Sequence, residues 1–310
     1  MEKNSKIYIA GHLGLVGSAI TRALVSRNFT NLVLKTRAEL DLLDQTAVEK
    51  FFQKEKPEYV FLAAAKVGGI MANKTHPAEF IYENLLVQAH VLEQARINGV
   101  KKLLFLGSSC IYPRLSEQPI KEEYFLSGDL EPTNRAYAIA KIAGIVTCQS
   151  YNAEYGTNFI SAMPTNMYGP NDNFDLENSH VLPALIRKFH EAKINGKKEV
   201  VLWGTGVARR EFLHVDDFAD AALFLMDKYE RTEIINVGSG EDVSIKELAE
   251  IIRKIVGFSG TISWNSDKPD GILRKLLDVS KIHTLGWKHT IQLEGGIAST
   301  YAWYEKNSNK

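Results

Sequence analysis

Short apolar runs alternate with amphipathic stretches through the first 165 residues. KIYIAG (6–11) reads as a strand, Gly17 to Asn28 as a helix and NLVLKTR (31–37) as a second strand. Asp44 predicts an N-cap for a helix over TAVEKFFQKEK, which Pro57 closes. YVFLAAA (59–65) predicts a third strand, residues 77–99 a long helix ending at Gly99, and KKLLFLGSS (101–109) a fourth strand. A second long helix is expected over 133–156, followed by the strand FISAMPT. Strands alternating with helices imply βαβ units with right-handed crossovers, so the fold class is α/β: a Rossmann-like, doubly wound parallel sheet.

After about residue 165 the regularity fades. NMYGPNDNFDLENS reads as a long loop, with Asn178 or Ser179 as N-cap of a helix over HVLPALIRKFHEA. VVLWGTG and EIINVGSG predict short strands, SIKELAEIIRKIVG a helix, and TISWNSDKPDG irregular chain. A smaller, mixed α/β unit built from non-contiguous pieces is therefore expected. The dinucleotide-binding unit would take residues 1–165 and about 211–238, and a substrate unit 166–210 and 239–310.

Composition narrows the class without choosing a function. Lys plus Arg and Asp plus Glu balance at 37 each, which argues against a nucleic-acid-binding surface. Two distant cysteines suggest neither a disulfide framework nor a metal site. No apolar run approaches the roughly 20 residues of a membrane span, and the N-terminus lacks a signal-peptide core. The expected location is a reducing cytoplasm.

The first candidate chemistry is a glycine loop. GHLGLVGSAI places Gly11, Gly14 and Gly17 three apart, between a strand and the helix that opens a βαβ unit. Glycines there let the backbone approach a pyrophosphate, which the helix N-terminus attracts. At the end of the second strand, where an NAD site carries an acidic residue, the chain has Lys35, Thr36 and Arg37. A guanidinium suits a 2′-phosphate, so NADPH is favoured over NADH.

Tyr137 and Lys141, four apart on a predicted helix, share a face. With Ser108 at the end of the fourth strand they make a carbonyl-reduction set. Ser108 orients the substrate oxygen and Tyr137 delivers a proton, while the Lys141 ammonium is expected to lower the tyrosine pKa. Cys110 lies two residues beyond Ser108. If the strand stays extended past Gly107, the two share a face at the sheet's C-terminal edge. Spacing leaves Cys110 open between a small core residue and an acid or base, whereas Cys148, mid-helix, reads as core. His180, Trp203 and Arg210 each also have an ordinary reading, as capping segment, core aromatic and solvated charge.

The glycine loop, the Ser108–Tyr137–Lys141 set and REFLHVDD resemble the extended short-chain dehydrogenase/reductases that modify nucleotide sugars. Within them AAAKVGGIMANKTHPAEFIYEN, FLGSSCIYP, EPTNRAYAIAKIAGI, MPTNMYGPNDNF and NSHVLPALIRKFHEA are similar to the GDP-L-fucose synthases, over about residues 6–304. The resemblance implies a homodimeric, NADPH-dependent enzyme. It would epimerise carbons 3 and 5 of GDP-4-keto-6-deoxy-D-mannose and then reduce the 4-keto group. It implies that Cys110 and His180 form the epimerisation acid/base pair. Implied cofactor contacts are Gly11, His12, Leu13, Gly14, Leu15, Val16, Gly17, Arg37, Leu106, Gly107, Ser108, Ser109, Lys141, Pro164, Thr165, Asn166, Met167 and His180. Implied substrate contacts are Lys188, Trp203, Arg210 and Asp270. Two departures stand out: Leu13 and Lys188 occupy positions where some relatives carry arginine.

The chemistry is coherent apart from the resemblance. A 4-ketone acidifies carbons 3 and 5 together, and Ser108 and Tyr137 would stabilise the enolate oxygen during epimerisation as they stabilise the alkoxide during reduction. Thiol and imidazole, with reference pKa values of about 8.5 and 6.5, exchange protons readily near neutrality. The competing readings are a 4-epimerase or 4,6-dehydratase of the same fold, and a non-catalytic dinucleotide-sensing protein. Such a sensor would typically have lost the tyrosine or the lysine.

Overall fold

The structure, a computed structural model, describes residues 1–176, 178–268 and 270–308. Six parallel strands form the central sheet: β1 (Ile7–Ala10), β2 (Leu32–Val33), β3 (Tyr59–Leu62), β4 (Lys102–Leu106), β5 (Phe159–Pro164) and β9 (Ile235–Val237), in the order β2-β1-β3-β4-β5-β9. The crossovers carry α1 (Leu15–Ser26), α2 (Gln45–Glu55), α3 (Ile70–Thr75), α4 (Pro77–Ile97) and α5 (Arg135–Tyr155). Strand order reverses between β1 and β3, and ligands of open α/β sheets bind outside the strands' C-terminal ends at such a switch point.

Local chemistry explains most boundaries. The Asp44 side chain accepts from the Ala47 amide and starts α2 as expected. β2 is shorter than predicted, two residues instead of seven. Among the described residues it is an edge strand paired with β1 alone, and the Thr36 amide and hydroxyl both donate to Glu39 Oε2, folding 36–39 into a turn. The fourth strand stops at Leu106, because Ser108 caps a 3₁₀ turn over Ser109–Ile111.

The second half adds β6 (Asn166–Tyr168), α6 (Val181–Ile194), β7 (Glu199–Trp203), β8 (Arg209–His214) and α7 (Val215–Lys228). After β9 come β10 (Asp242–Ser244), α8 (Ile245–Val256), β11 (Thr261–Asn265), β12 (Arg274–Lys275), α9 (Ser280–Thr284) and α10 (Leu293–Asn307). β11, expected to be irregular, is a strand parallel to β7. Its alternation of Thr261, Ser263 and Asn265 with Ile262 and Trp264 is the period-2 signature of a strand, masked in sequence by the turn residues that follow. The N-cap of α6 is His180 itself, with its backbone extended, rather than Asn178 or Ser179.

Two hydrophobic clusters hold the molecule. The first packs helices on both faces of the central sheet, and the second joins α6, α8 and α10 with β7. β8 lies at their junction: Phe212 belongs to the second cluster, and Leu213 to the first. Leu277, Val279, Ile282 and Trp287, placed by sequence with the substrate unit, pack on the first cluster. A buried carboxylate draws them there, since Glu211 Oε2 accepts from the Leu277 amide and Oε1 from the Gly240 amide. Among the described residues no helix is long and apolar enough to cross a membrane.

Candidate active site

The glycine loop follows β1. Gly11 has a positive φ of 83°, and a Cβ at Gly17 would stand 2.1 Å from the Gly11 carbonyl oxygen, so the loop closes only without side chains there. Gly14 caps α1 without a side-chain hydrogen bond, and the buried Nδ1 of His12 has no partner among the described residues. Leu13 is exposed. Backbone donors at a helix N-terminus, beside an unsatisfied imidazole nitrogen, fit a dinucleotide diphosphate. Lys35 and Arg37 extend beyond β2, where they pair loosely with Glu39 (3.7 Å) and Asp41 (3.8 Å). Such exposed pairs are weak and leave the guanidinium available. Arg37→Ala is therefore expected to raise KM for NADPH about 10- to 100-fold while leaving KM for NADH nearly unchanged, as steady-state kinetics with both cofactors would show.

Ser108 and Cys110 meet by a different geometry from the one expected. They do not share a strand face. Instead Ser108 Oγ accepts from the Cys110 amide (3.2 Å), curling the chain back on itself. The turn ends β4 at the sheet's C-terminal edge, level with Pro164 at the end of β5. Beyond Pro164, the Thr165 hydroxyl and the Asn166 amide group both donate to the Glu211 carbonyl, and Met167 pairs with Leu213, so 164–167 is fixed to β8.

α5 presents Tyr137 and Lys141 to the same place. Ser108 and Cys110 both lie within electrostatic reach of the Tyr137 hydroxyl. Burial, reinforced by Cys110, pushes the phenol well above its ordinary pKa, outweighing Ser108. The expected lowering by Lys141 is absent. The Lys141 ammonium donates to the Leu106 carbonyl (2.9 Å) and stands 5.8 Å from the tyrosine ring centre. Tyr137 is thus a protonated phenol at neutral pH, the form that can donate. Burial pushes Lys141 down to about 8. Its unfolded pKa is about 10.4, so the unfolded chain binds the proton more tightly. Stability should therefore rise with pH between about 8 and 10.4. Lys141→Met should remove that rise and stabilise the protein by roughly 1–2 kcal/mol at pH 7 while slowing reduction, as thermal melts across pH and NADPH assays would register.

His180 reaches the site from α6. The 178–180 segment is tied to the loop after β3, where the Gly69 amide donates to the Asn178 carbonyl (2.8 Å). His180 is exposed to solvent. Desolvation by nearby protein, with the charge of Lys275, holds its pKa below the usual value.

β8 brings the phosphate-binding candidates. Arg210 lies opposite Lys275 in the parallel β8–β12 ladder. Burial lowers its pKa, while Asp270 and Cys110 raise it. Asp270 accepts from the Thr205 amide and hydroxyl, both at 2.7 Å, which keeps it ionised. Trp203, exposed at the end of β7, has the ammonium groups of Lys188 and Lys268 each 5.5 Å from its ring centre. Desolvation lowers the pKa of Lys188. Arg37 stands apart, beyond the β2 edge.

A sheet edge with a glycine loop and a Ser–Tyr–Lys set is shared by many reductases, so comparison decides the family. The model of the NAD dependent epimerase/dehydratase family matches residues 7–238. The chain belongs to that family. Within it, GDP-L-fucose synthase 1 of Arabidopsis thaliana is 61% identical over 306 residues, 99% of this chain and 95% of the relative. Among solved structures, a GDP-mannoheptose C4 reductase from Campylobacter jejuni with NADP bound is 49% identical (TM-score 0.90, covering 98% of this chain and 99% of that one). A GDP-L-fucose synthetase from Naegleria fowleri bound to NADP is 29% identical (TM-score 0.92, 100% and 97%).

Sequence reading missed two residues. Asn134 Nδ2 donates to Cys110 Sγ (3.1 Å), and Lys275 Nζ lies 3.5 Å from the same sulfur. Asn134 carried a signal, one helical turn before Tyr137 in TNRAY. Lys275 carried none, since 165 residues separate it from Cys110.

Proposed function

We propose that this chain converts GDP-4-keto-6-deoxy-D-mannose to GDP-L-fucose, inverting carbons 3 and 5 and then reducing carbon 4 with NADPH. The observation that carries the reading is the shared position of Cys110, Ser108 and Tyr137. A ketone oxygen held by the serine and tyrosine hydroxyls would stand beside a thiol able to act on the neighbouring carbons. Close similarity to GDP-L-fucose synthases supports the same substrate. NADPH supplies the hydride for carbon 4. The Gly11–Gly17 loop holds its diphosphate, Arg37 its 2′-phosphate, and the Leu106–Ser109 and Pro164–Met167 turns its nicotinamide end, with Lys141 and His180 alongside.

In the epimerisation steps one of Cys110 and His180 removes a proton from the carbon next to the ketone. Ser108 and Tyr137 stabilise the enolate oxygen, and the other member of the pair protonates the opposite face. In reduction Tyr137 gives its phenolic proton to the developing alkoxide. Arg210 and Lys188 bind the substrate diphosphate, Trp203 packs on the guanosine, and Asp270 braces the Thr205 turn beside Arg210. The NADPH-binding unit takes residues 1–165 and about 211–238, with 277–287 packed on it, and the remaining pieces form the GDP-sugar unit. We assign the exposed apolar side chains of α4 and α5, Tyr82, Ile139 and Val146 among them, to a homodimer interface. Cytoplasmic action fits a site that depends on a free thiol.

A second reading, a reductase that leaves carbons 3 and 5 untouched, is favoured by the likeness to the Campylobacter C4 reductase. The test is product identity with equimolar substrate and NADPH. Quantitative NADPH oxidation with formation of GDP-L-fucose supports the reading. A reduced product of unchanged carbon-3 and carbon-5 configuration supports the alternative.

A further inference from the structure

Two inversions on one acid/base pair raise a proton-accounting problem. In a manno-configured ring the hydrogens of carbons 3 and 5 lie on the same face, so one base serves both. Suppose Cys110 takes the first proton and His180 donates the second. The first inversion then leaves a thiol and a neutral imidazole. The second needs a thiolate and an imidazolium again. If the roles are exchanged, the same mismatch appears with opposite sign. The pair must be reset while the sugar is bound.

The two residues differ in their access to solvent. His180 is exposed to solvent. Cys110 is only partly accessible, and bound sugar would cover the side that faces Ser108 and Tyr137. A second compartment lies beside the sulfur. A cavity of about 20 Å³, room for one water, is lined by Cys110, Asn134, Lys275, Arg114, Gln118 and Glu131 among others. Ser108, Tyr137 and His180 do not line it. Lys275 Nζ stands 3.5 Å from Sγ at this cavity, on strand β12, which β8 holds in register through Lys275 and Arg210.

We propose that Lys275 resets Cys110 between the two inversions, carrying its proton to or from water in the cavity beside the thiol. The step balances. The Lys275 ammonium gives a proton to the cavity water, and the resulting amine takes the proton from Sγ. The ammonium and the thiolate are regenerated, one proton has moved outward, and His180 recovers one from solvent. With the roles reversed each transfer runs backward. Asn134, the other donor to Sγ, fixes the sulfur in place and carries no proton itself. The inference rests on the reading that Cys110 and His180 perform both inversions. Lys275 is a positioning and relay residue, acting through Cys110.

Arginine separates relay from charge, because its guanidinium keeps the charge and does not release a proton at neutral pH. Lys275→Arg, Lys275→Met and Lys275→Ala would be assayed in heavy water, reading the ratio of product inverted at one carbon to product inverted at both. We expect that ratio to rise about tenfold or more in all three variants, and methylamine to lower it again in Lys275→Ala. Each variant should still reduce the doubly inverted ketone, supplied directly, at close to the wild-type rate. A wild-type ratio in Lys275→Arg, or no response to methylamine in Lys275→Ala, overturns the relay. Wild-type protein that places no deuterium at carbon 3 or 5 instead overturns the epimerase reading beneath it.

Discussion

Replacing Tyr137 by phenylalanine is expected to slow reduction about 100- to 10,000-fold, the usual worth of a positioned general acid, while deuterium exchange at carbons 3 and 5 falls far less. The two reactions ask different things of the phenol. Reduction consumes its proton. Burial keeps that proton on the oxygen at neutral pH. Enolate formation asks only for a hydrogen-bond donor at the ketone oxygen, and Ser108 remains as one. NADPH absorbance and proton NMR of substrate incubated in heavy water read the two rates separately. Equal losses in both would show that enolate formation needs the phenol as much as reduction does, against that division of roles.

Cys110→Ala is the complementary case. Exchange should fall by about 100-fold or more, while reduction of the doubly inverted ketone persists, because Ser108, Tyr137 and Lys141 keep their places. The Ser108 cap of the 109–111 turn uses the Cys110 backbone amide, which alanine retains. The turn therefore survives, and the variant tests chemistry rather than folding. Exchange at the wild-type rate would return Cys110 to a structural role, the role that Cys148 has in the core. There burial pushes the thiol up to about 12.

Much of this was legible in the sequence where the deciding contacts are local. The Asp44 cap, the glycine loop and the helical spacing of Tyr137 and Lys141 each depend on residues within one turn or one βα unit, and each stands as expected. What the sequence hid is long-range or competitive. Extension past Gly107 was a fair reading of KKLLFLGSSC, yet a single serine side chain diverted the backbone into a turn and brought Cys110 to the site by another path. The tyrosine's protonation depends on burial by α5 and Phe80, whose ring meets it edge-on at 6.3 Å, while the Lys141 ammonium donates to the Leu106 carbonyl instead. Lys275 sits on a two-residue strand that exists only because β8 offers it an edge. No local pattern announces such a strand.

If one ketone-binding site performs both inversions and the reduction, a single turnover of the wild-type protein with GDP-4-keto-6-deoxy-D-mannose and NADPH in heavy water should leave a legible product. NMR should find deuterium at carbons 3 and 5, protium from NADPH at carbon 4, and the L-galacto configuration. Protium at both carbons 3 and 5 would rule out a shared site.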